Sequence, residues 1–230
     1  RVALFSTGDE LVMPGEPLKP GAIYNSNRYT LRGLLTQFGH ECTDLGIVPD
    51  TLEATRDALR RAAKGHDLIL TSGGVSVGEE DHIKPAVEAE GQINLWQIAI
   101  KPGKPLAFGQ VRNGTDRPTW FLGLPGNPVS SFITFLLAVR PFLMALQGIE
   151  AGLPRATMLP AGFDWPKPDK RREFLRARRA EDGTVEIFPN QSSGVLTSTV
   201  WAEGVVDNPP GQAIGKGDPV RFLSFAEWMQ

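Results

Sequence analysis

The chain has 230 residues, 41% hydrophobic and 22% charged, with a formal net charge of −2. That balance leaves room for a proper core, in one large domain or in one of ordinary size plus a small one. It argues against a general nucleic-acid or anionic-membrane binder, although a local basic pocket stays open. Cys42 is the single cysteine, so an internal disulfide is excluded. With no secretory leader and no apolar run read as long enough to cross a bilayer, the expected location is cytoplasmic. Cys42 itself reads as strand packing rather than a nucleophile, because no partnered histidine lies in any motif. Arg1 leads straight into an apolar run without a methionine, so the chain is expected to begin within a longer polypeptide.

In chain order, strand and helix patterns alternate up to about Gln147, which predicts a layered α/β domain with a mostly parallel sheet. Val2–Ser6 reads as a first buried strand. Asn25–Asn27 offer caps for a helix with Leu31, Leu34, Leu35 and Phe38 at helical spacing, closed by Gly39. Glu41–Val48 is the second strand. Asp50 is the expected cap of a helix over Thr51–Lys64, whose apolar face is Leu52, Thr55, Leu59, Ala62 and Ala63. Strands follow at Asp67–Thr71, Ile93–Ile100 and Leu106–Val111. Asn113-Gly114 signals a hairpin into Thr119–Leu122. The helix Pro128–Leu146 is apolar on nearly all sides, so it should lie centrally or at an interface. After Gly148 glycines and prolines break the chain, and short β-rich runs appear at Glu173–Arg178, Thr184–Phe188 and Val220–Phe225. The expected division is an α/β domain over 1–148 and a small all-β, barrel-like domain over 153–230.

Three loops follow apolar strands and combine glycines with polar groups, and at the carboxyl ends of strands in an open α/β sheet such loops should converge. Thr71–Gly78 carries three glycines and two serines, able to form a nest of N–H donors for an oxyanion; a flexible turn has the same composition. Glu79, Glu80 and Asp81 follow at once. Beside a phosphate they would need a divalent cation between, or one of them would act as a base; a solvated helix start also favours acids. Ile100–Pro105 holds Lys101 and Lys104 on a proline-stiffened loop suited to a tetrahedral anion. In Gly123–Ser131, Asn127 fits an N-cap and Pro128 the first helical position, making either an anion site or simply a well-capped helix. Ser6–Leu11 adds two hydroxyls, Asp9 and Glu10 at the same rim.

Taken in order, Ser6–Leu11 (STGDEL), Asn25–Asn27 (NSN), Leu45–Asp50 (LGIVPD), Thr71–Asp81 (TSGGVSVGEED), Ile100–Pro105 (IKPGKP) and Gly123–Ser130 (GLPGNPVS) closely resemble the MoeA-type molybdopterin molybdenumtransferases. The resemblance implies a three-layer α/β/α MogA-like domain, a small C-terminal β domain, and two further N-terminal domains. It also implies a homodimer, transient contact with the adenylyltransferase and molybdoenzyme chaperones, and no nucleic-acid or membrane partner. The implied chemistry is cleavage of adenylylated molybdopterin with molybdate and Mg²⁺, giving molybdenum cofactor and AMP. By the same resemblance Glu10, Asp50 and Asp81 are the functional acids, with Glu10 and Asp81 as Mg²⁺ ligands. Thr7, Gly73, Gly74, Ser76, Gly78, Pro125, Gly126, Asn127 and Pro128 hold the pterin phosphate or adenylate. Lys101, Lys104 and Pro105 take molybdate, helped by Arg171 of an Arg-x-Glu-Phe stretch and Ser193 of a Gln-x-Ser segment. Gln97 departs from the pattern, standing where many members carry a lysine, which removes one positive charge. The alternatives are a MogA-like adenylyltransferase, disfavoured by the β domain, and a non-catalytic gephyrin-like scaffold, which would not need the acid and lysine set.

Overall fold

The computed structural model describes residues 1–75, 82–150 and 152–229, which fall into two compact units: 1–98 with 105–127, and 99–104 with 128–230. Compaction therefore does not divide the chain at 148. The last helix of the expected α/β domain lies in the second unit, where Phe132 meets Phe225 edge-on at 5.2 Å.

The first unit is a sheet covered on both faces. β1 (Val2–Thr7) is buried along its whole length, as a strand between two helical layers must be. Beyond its end β2 (Leu11–Val12) and β3 (Ile23–Tyr24) pair as a short parallel ribbon. α1 (Ser26–Gln37) starts at Asn25, whose side chain accepts from the Arg28 amide at 3.2 Å, and Gly39 turns the chain away at φ +76°. After β4 (Cys42–Val48) comes α2 (Leu52–Ala63). Its cap is Thr51, which accepts from the Ala54 amide, and not Asp50. Thr51 is extended and directly precedes the first helical residue, whereas Asp50 stands one residue too far out. Leu52, the first helical residue, is 40% exposed, while Thr55, Leu59, Ala62 and Ala63 are buried as expected.

After β5 (Leu68–Ser72) the next described element is a helix that periodicity does not reveal, α3 (Ile83–Glu90). It is only eight residues long, with Pro85 in its first turn, where a missing N–H does no harm. β6 (Gly91–Gln97) ends earlier than expected, because Ile100–Lys101 is a separate strand, β7, belonging to the second unit. β8 (Pro105–Val111) and β9 (Thr119–Leu124) form the anticipated hairpin around Gly114, at φ +81°. The sheet order is β4-β1-β5-β9-β8-β6, parallel through β9 and antiparallel at β8 and β6. Ala3, Phe5, Ile69 and Phe121 pack with α2 and α3, burial on the order of 1.5–3 kcal/mol for each large side chain. Leu31, Leu34 and Leu35 of α1 are buried where that helix packs on β1 and β4, outside this cluster. The three-layer α/β/α expectation is met.

The second unit opens on the 19-residue helix α4 (Pro128–Leu146). Contrary to expectation, it is long and apolar enough to cross a membrane by length and composition, although just over half of it is buried within the protein. Every residue from Val129 to Leu136 is buried. Its centre, Phe135–Val139, widens into a π-helix. Pro141 has no N–H to donate and would clash with the carbonyl four residues back, and the wider turn accommodates it.

The β strands then follow: β10 (Thr157–Pro160), β11 (Arg172–Arg179), β12 (Val185–Ile187), a helical turn α5 (Thr197–Trp201), β13 (Gly204–Asn208), β14 (Pro219–Ser224) and a last turn α6 (Phe225–Trp228). Their order is β10-β14-β13-β11-β12, with β7 parallel to the start of β11. A bridge between Ala161 and Val185 joins the β10 end to β12 and closes the sheet, so the unit is barrel-like as expected. Leu175, Val185, Val206, Ile214, Val220 and Phe222 fill it. Asp207 on β13, its side chain fully buried, binds Arg172 of β11 at 2.6 and 2.7 Å and Arg221 of β14 at 3.1 Å, tying three adjacent strands.

Candidate functional site

In the first unit β1, β5 and β9 run parallel side by side, so their carboxyl ends open onto one small cleft of about 40 Å³. Thr7, Glu10, Ser72, Gly73 and Gly126 line it, and the start of α1 closes it with Asn25, Ser26 and Asn27. The main chain is packed tightly here. Gly73 donates to the Leu124 carbonyl at 3.1 Å. Its φ is +92°, and a Cβ would lie 2.4 Å from the Thr7 carbonyl oxygen, so only glycine fits. Gly74, at φ +63°, is held likewise against the Thr7 hydroxyl and Ile83. Asn27 fastens the loops together: its Nδ2 donates to Ser72 Oγ and to the Gly126 carbonyl, both at 2.7 Å.

The cleft walls hold polar atoms without protein partners. Among the described residues Ser6 Oγ, Thr7 Oγ1, Thr71 Oγ1, Asn25 Nδ2 and Asn27 Oδ1 are buried and make no hydrogen bond. An unpaired buried polar group costs about 1–3 kcal/mol, and three of these five, on Thr7, Asn25 and Asn27, belong to residues of the cleft lining, which suits it to a polar ligand.

The second unit carries a different cluster, built where β7 pairs with β11. Lys101 Nζ lies 3.2 Å from Glu173 Oε1 and 3.5 Å from Asp169 Oδ2. Arg171 grips Asp169 through Nε at 2.9 Å and Nη2 at 2.8 Å, and its amide donates to the same carboxylate at 3.0 Å. These bonds outweigh the effect of burial and hold the Asp169 carboxyl well below the usual carboxylate range. Glu173 is fully buried and also accepts from Trp165 Nε1 at 2.9 Å, from the Asp169 amide at 3.0 Å and from Asn208 Nδ2 at 3.5 Å.

Farther along β11, Arg176 is buried without a carboxylate among the described residues. Its guanidinium donates to Ser198 Oγ at 3.1 Å and to the Ser192 carbonyl at 3.1 Å, and burial pushes its pKa down to about 10. It thus holds a positive charge behind the loop that presents Ser193. The Ser193 carbonyl in turn accepts from the Val129 amide at 3.0 Å.

Of the residues expected to bind ligand, Thr7, Glu10, Gly73 and Gly126 line the cleft and Gly74 packs beside Thr7. Ser76, Gly78 and Asp81 lie outside the described residues. Asp50, Pro125 and Asn127 belong to the same unit but not to the cleft lining, Pro125 being buried and Asn127 exposed. Pro128 opens α4 in the second unit, where the next amide is already taken by Ser193 rather than open to an anion. Lys101, Lys104, Arg171 and Ser193 are all in the second unit, Pro105 in the first. Lys104 is exposed. The sequence presents Asn27 only within the cap and the Asn25–Asn27 segment and Glu173 only within the Arg-x-Glu-Phe stretch, and it assigns no role to Asp169 or Arg176. A signal was there: Asn27 follows its cap by two positions inside a helix, and Arg176 shares the strand face of Phe174, opposite the core residues Leu175 and Ala177.

A largely parallel α/β unit with an unsatisfied polar cleft at its strand ends, followed by a closed β unit, has the form of a two-unit α/β plus β protein whose cleft suits a small polar ligand. Residues 3–145 match the family model described as probable molybdopterin binding domain, and residues 158–225 match the MoeA C-terminal region, domain IV. The chain belongs to this molybdopterin-binding domain family. A molybdopterin molybdenumtransferase of Haemophilus influenzae is 50% identical over 148 residues, 64% of this chain and 35% of that protein. One of Nostoc sp. is 37% identical over 230 residues, covering 97% of this chain and 52% of that one. The crystal structure of a molybdopterin biosynthesis MoeA protein from Pyrococcus horikosii superposes with a TM-score of 0.81 at 30% identity, over 97% of this chain and 54% of that chain. The chain thus spans about half or less of the length of these relatives.

Proposed function

We propose that this chain supplies the pterin-phosphate cleft and the oxyanion-binding β unit of an enzyme that inserts molybdate into adenylylated molybdopterin, releasing AMP. The observation that carries the reading is the row of unpartnered polar atoms at the ends of β1 and β5 and the start of α1. Thr7 Oγ1 and Asn25 Nδ2 can donate to phosphate or adenylate oxygens. The backbone at Gly73 and Gly74 lets the ligand come close. The molybdenumtransferase relatives support the substrate class.

Glu10 is the described acid at the cleft and Asp81 its proposed companion; Asp50 is kept as an acid of the same strand-end edge. Among the described residues no group of three His, Cys, Asp or Glu gathers to hold a metal ion. Mg²⁺ is therefore proposed to enter with the phosphates, whose charge it would neutralise beside Glu10 and Asp81. Lys101, Lys104, Pro105, Arg171 and Ser193 are proposed for molybdate, a tetrahedral dianion that needs several donors. The assembly is proposed as a cytoplasmic homodimer, in transient contact with the adenylyltransferase and molybdoenzyme chaperones.

The test is incubation of the intact polypeptide with adenylylated molybdopterin, Mg²⁺ and molybdate while AMP release is followed. Molybdate-dependent AMP release is expected, slowed on the order of 10²–10⁴-fold by Asp81→Ala. Lack of release by well-folded wild-type protein overturns the reading.

A further inference from the structure

Within the second unit, Lys101, Arg171, Asp169 and Glu173 form a group of two cations and two carboxylates, neutral as a whole. An oxyanion site made of Lys101 and Arg171 is therefore already occupied by the protein's own acids. The two acids are not held alike. Glu173 is fully buried and accepts from an indole, a backbone amide and an asparagine besides Lys101, so removing it would strand the Trp165 indole and the Asp169 amide. The Asp169 carboxylate bonds only to Arg171 and Lys101 among the described residues, and its side chain is 19% exposed. The backbone of Asp169 is pinned at both ends, its amide on Glu173 and its carbonyl accepting from the Gly211 amide at 2.9 Å. Rotation of one short side chain therefore uncovers the Arg171 guanidinium and removes one of the two carboxylates on Lys101, without moving the loop.

We propose that Asp169 is an intramolecular latch on the oxyanion site, a carboxylate that occupies Arg171 and Lys101 until a tetrahedral dianion exchanges with it, and so sets the affinity threshold for anions entering there. The proposal rests on the reading of Lys101 and Arg171 as oxyanion ligands. The exchange breaks no covalent bond. Arg171 gives up two side-chain N–H bonds to Asp169 and makes two to the incoming oxygens, and Lys101 exchanges its contact with Asp169 in the same way. A dianion carries more charge and more acceptor oxygens than the carboxylate it replaces, while a weakly binding anion cannot displace a tethered competitor.

The geometry separates a latch from a positioning role by sign. If Asp169 merely orients Arg171, its neutralisation weakens anion binding; if it competes, neutralisation strengthens it. Asp169→Asn keeps the shape and the oxygen that accepts the Arg171 amide, and Asp169→Ser keeps a shorter acceptor for that turn should the first variant fold poorly. Molybdate and, separately, sulfate are titrated calorimetrically into wild type, Asp169→Asn, Asp169→Ser, Lys101→Met and Arg171→Met at fixed ionic strength. Both Asp169 variants are expected to bind each anion roughly tenfold or more tightly than wild type, as for release of a charge-assisted competitor. Lys101→Met and Arg171→Met are expected to lose binding. Unchanged or weaker binding by the Asp169 variants, with wild-type binding still dependent on Lys101 and Arg171, overturns the latch alone. Binding indifferent to Lys101 and Arg171, or absent from every protein, overturns the oxyanion reading and the latch with it.

Discussion

Asn27 offers the sharpest test of how the cleft is held. Its Nδ2 joins Ser72 at the end of β5 to the Gly126 carbonyl beyond β9, both at 2.7 Å, and the residue itself is 7% exposed. Asn27→Ala removes both bonds at once. Ser72 is 2% exposed and its hydroxyl loses a donor in a dry setting, a cost of about 1–3 kcal/mol. Gly126 is exposed, so water can take over its carbonyl, and that bond contributes only about 0.5–1 kcal/mol. The sum is on the order of 2–3 kcal/mol, against which the loss of the unpartnered buried Asn27 Oδ1 returns a part. Urea unfolding of the variant should show a lower midpoint with an unchanged slope. Because the substitution loosens loops that the ligand must meet, AMP affinity by calorimetry should fall roughly tenfold or more. A variant that unfolds within about 0.5 kcal/mol of wild type and binds AMP equally well would refute the role given to Asn27.

Further outcomes follow from the same contacts. Gly73→Ala puts a Cβ 2.4 Å from the Thr7 carbonyl at φ +92°, so destabilisation of at least about 1–2 kcal/mol is expected in thermal melts. Glu10→Gln should raise the Mg²⁺ concentration needed for half-maximal AMP release without moving the melting temperature, since the side chain is exposed. Asp207→Asn should cost about 1.5–3 kcal/mol in the β unit, near the lower figure because Arg172 and Arg221 can turn to solvent. The Asp169 carboxyl is held below its ordinary value, so its contribution is complete above the unfolded value near 4 and is lost as pH falls through the folded value. The stability gap between wild type and Asp169→Asn, measured by urea midpoint, should therefore shrink as pH is lowered below about 4.

Local pattern was enough for much of this protein. Apolar runs, caps and the Asn113-Gly114 turn placed β1, α1, β4, β5 and the β8–β9 hairpin, because each depends on neighbours a few residues away. The motif glycines were legible for the same reason: a positive φ or a close approach restricts the residue type at that position, as at Gly73. What it could not disclose were relations between distant segments. That Ile100–Lys101 leaves the first sheet to pair with Arg172–Glu173 depends on a partner about seventy residues away. The membership of α4 in the second compact unit likewise reflects what the helix packs against, not its own composition. The same holds for charge. Lys101 and Arg171 read in isolation are two free cations, and only the folded chain brings Asp169 and Glu173 onto them, because side-chain electrostatics follows distance in space rather than along the sequence.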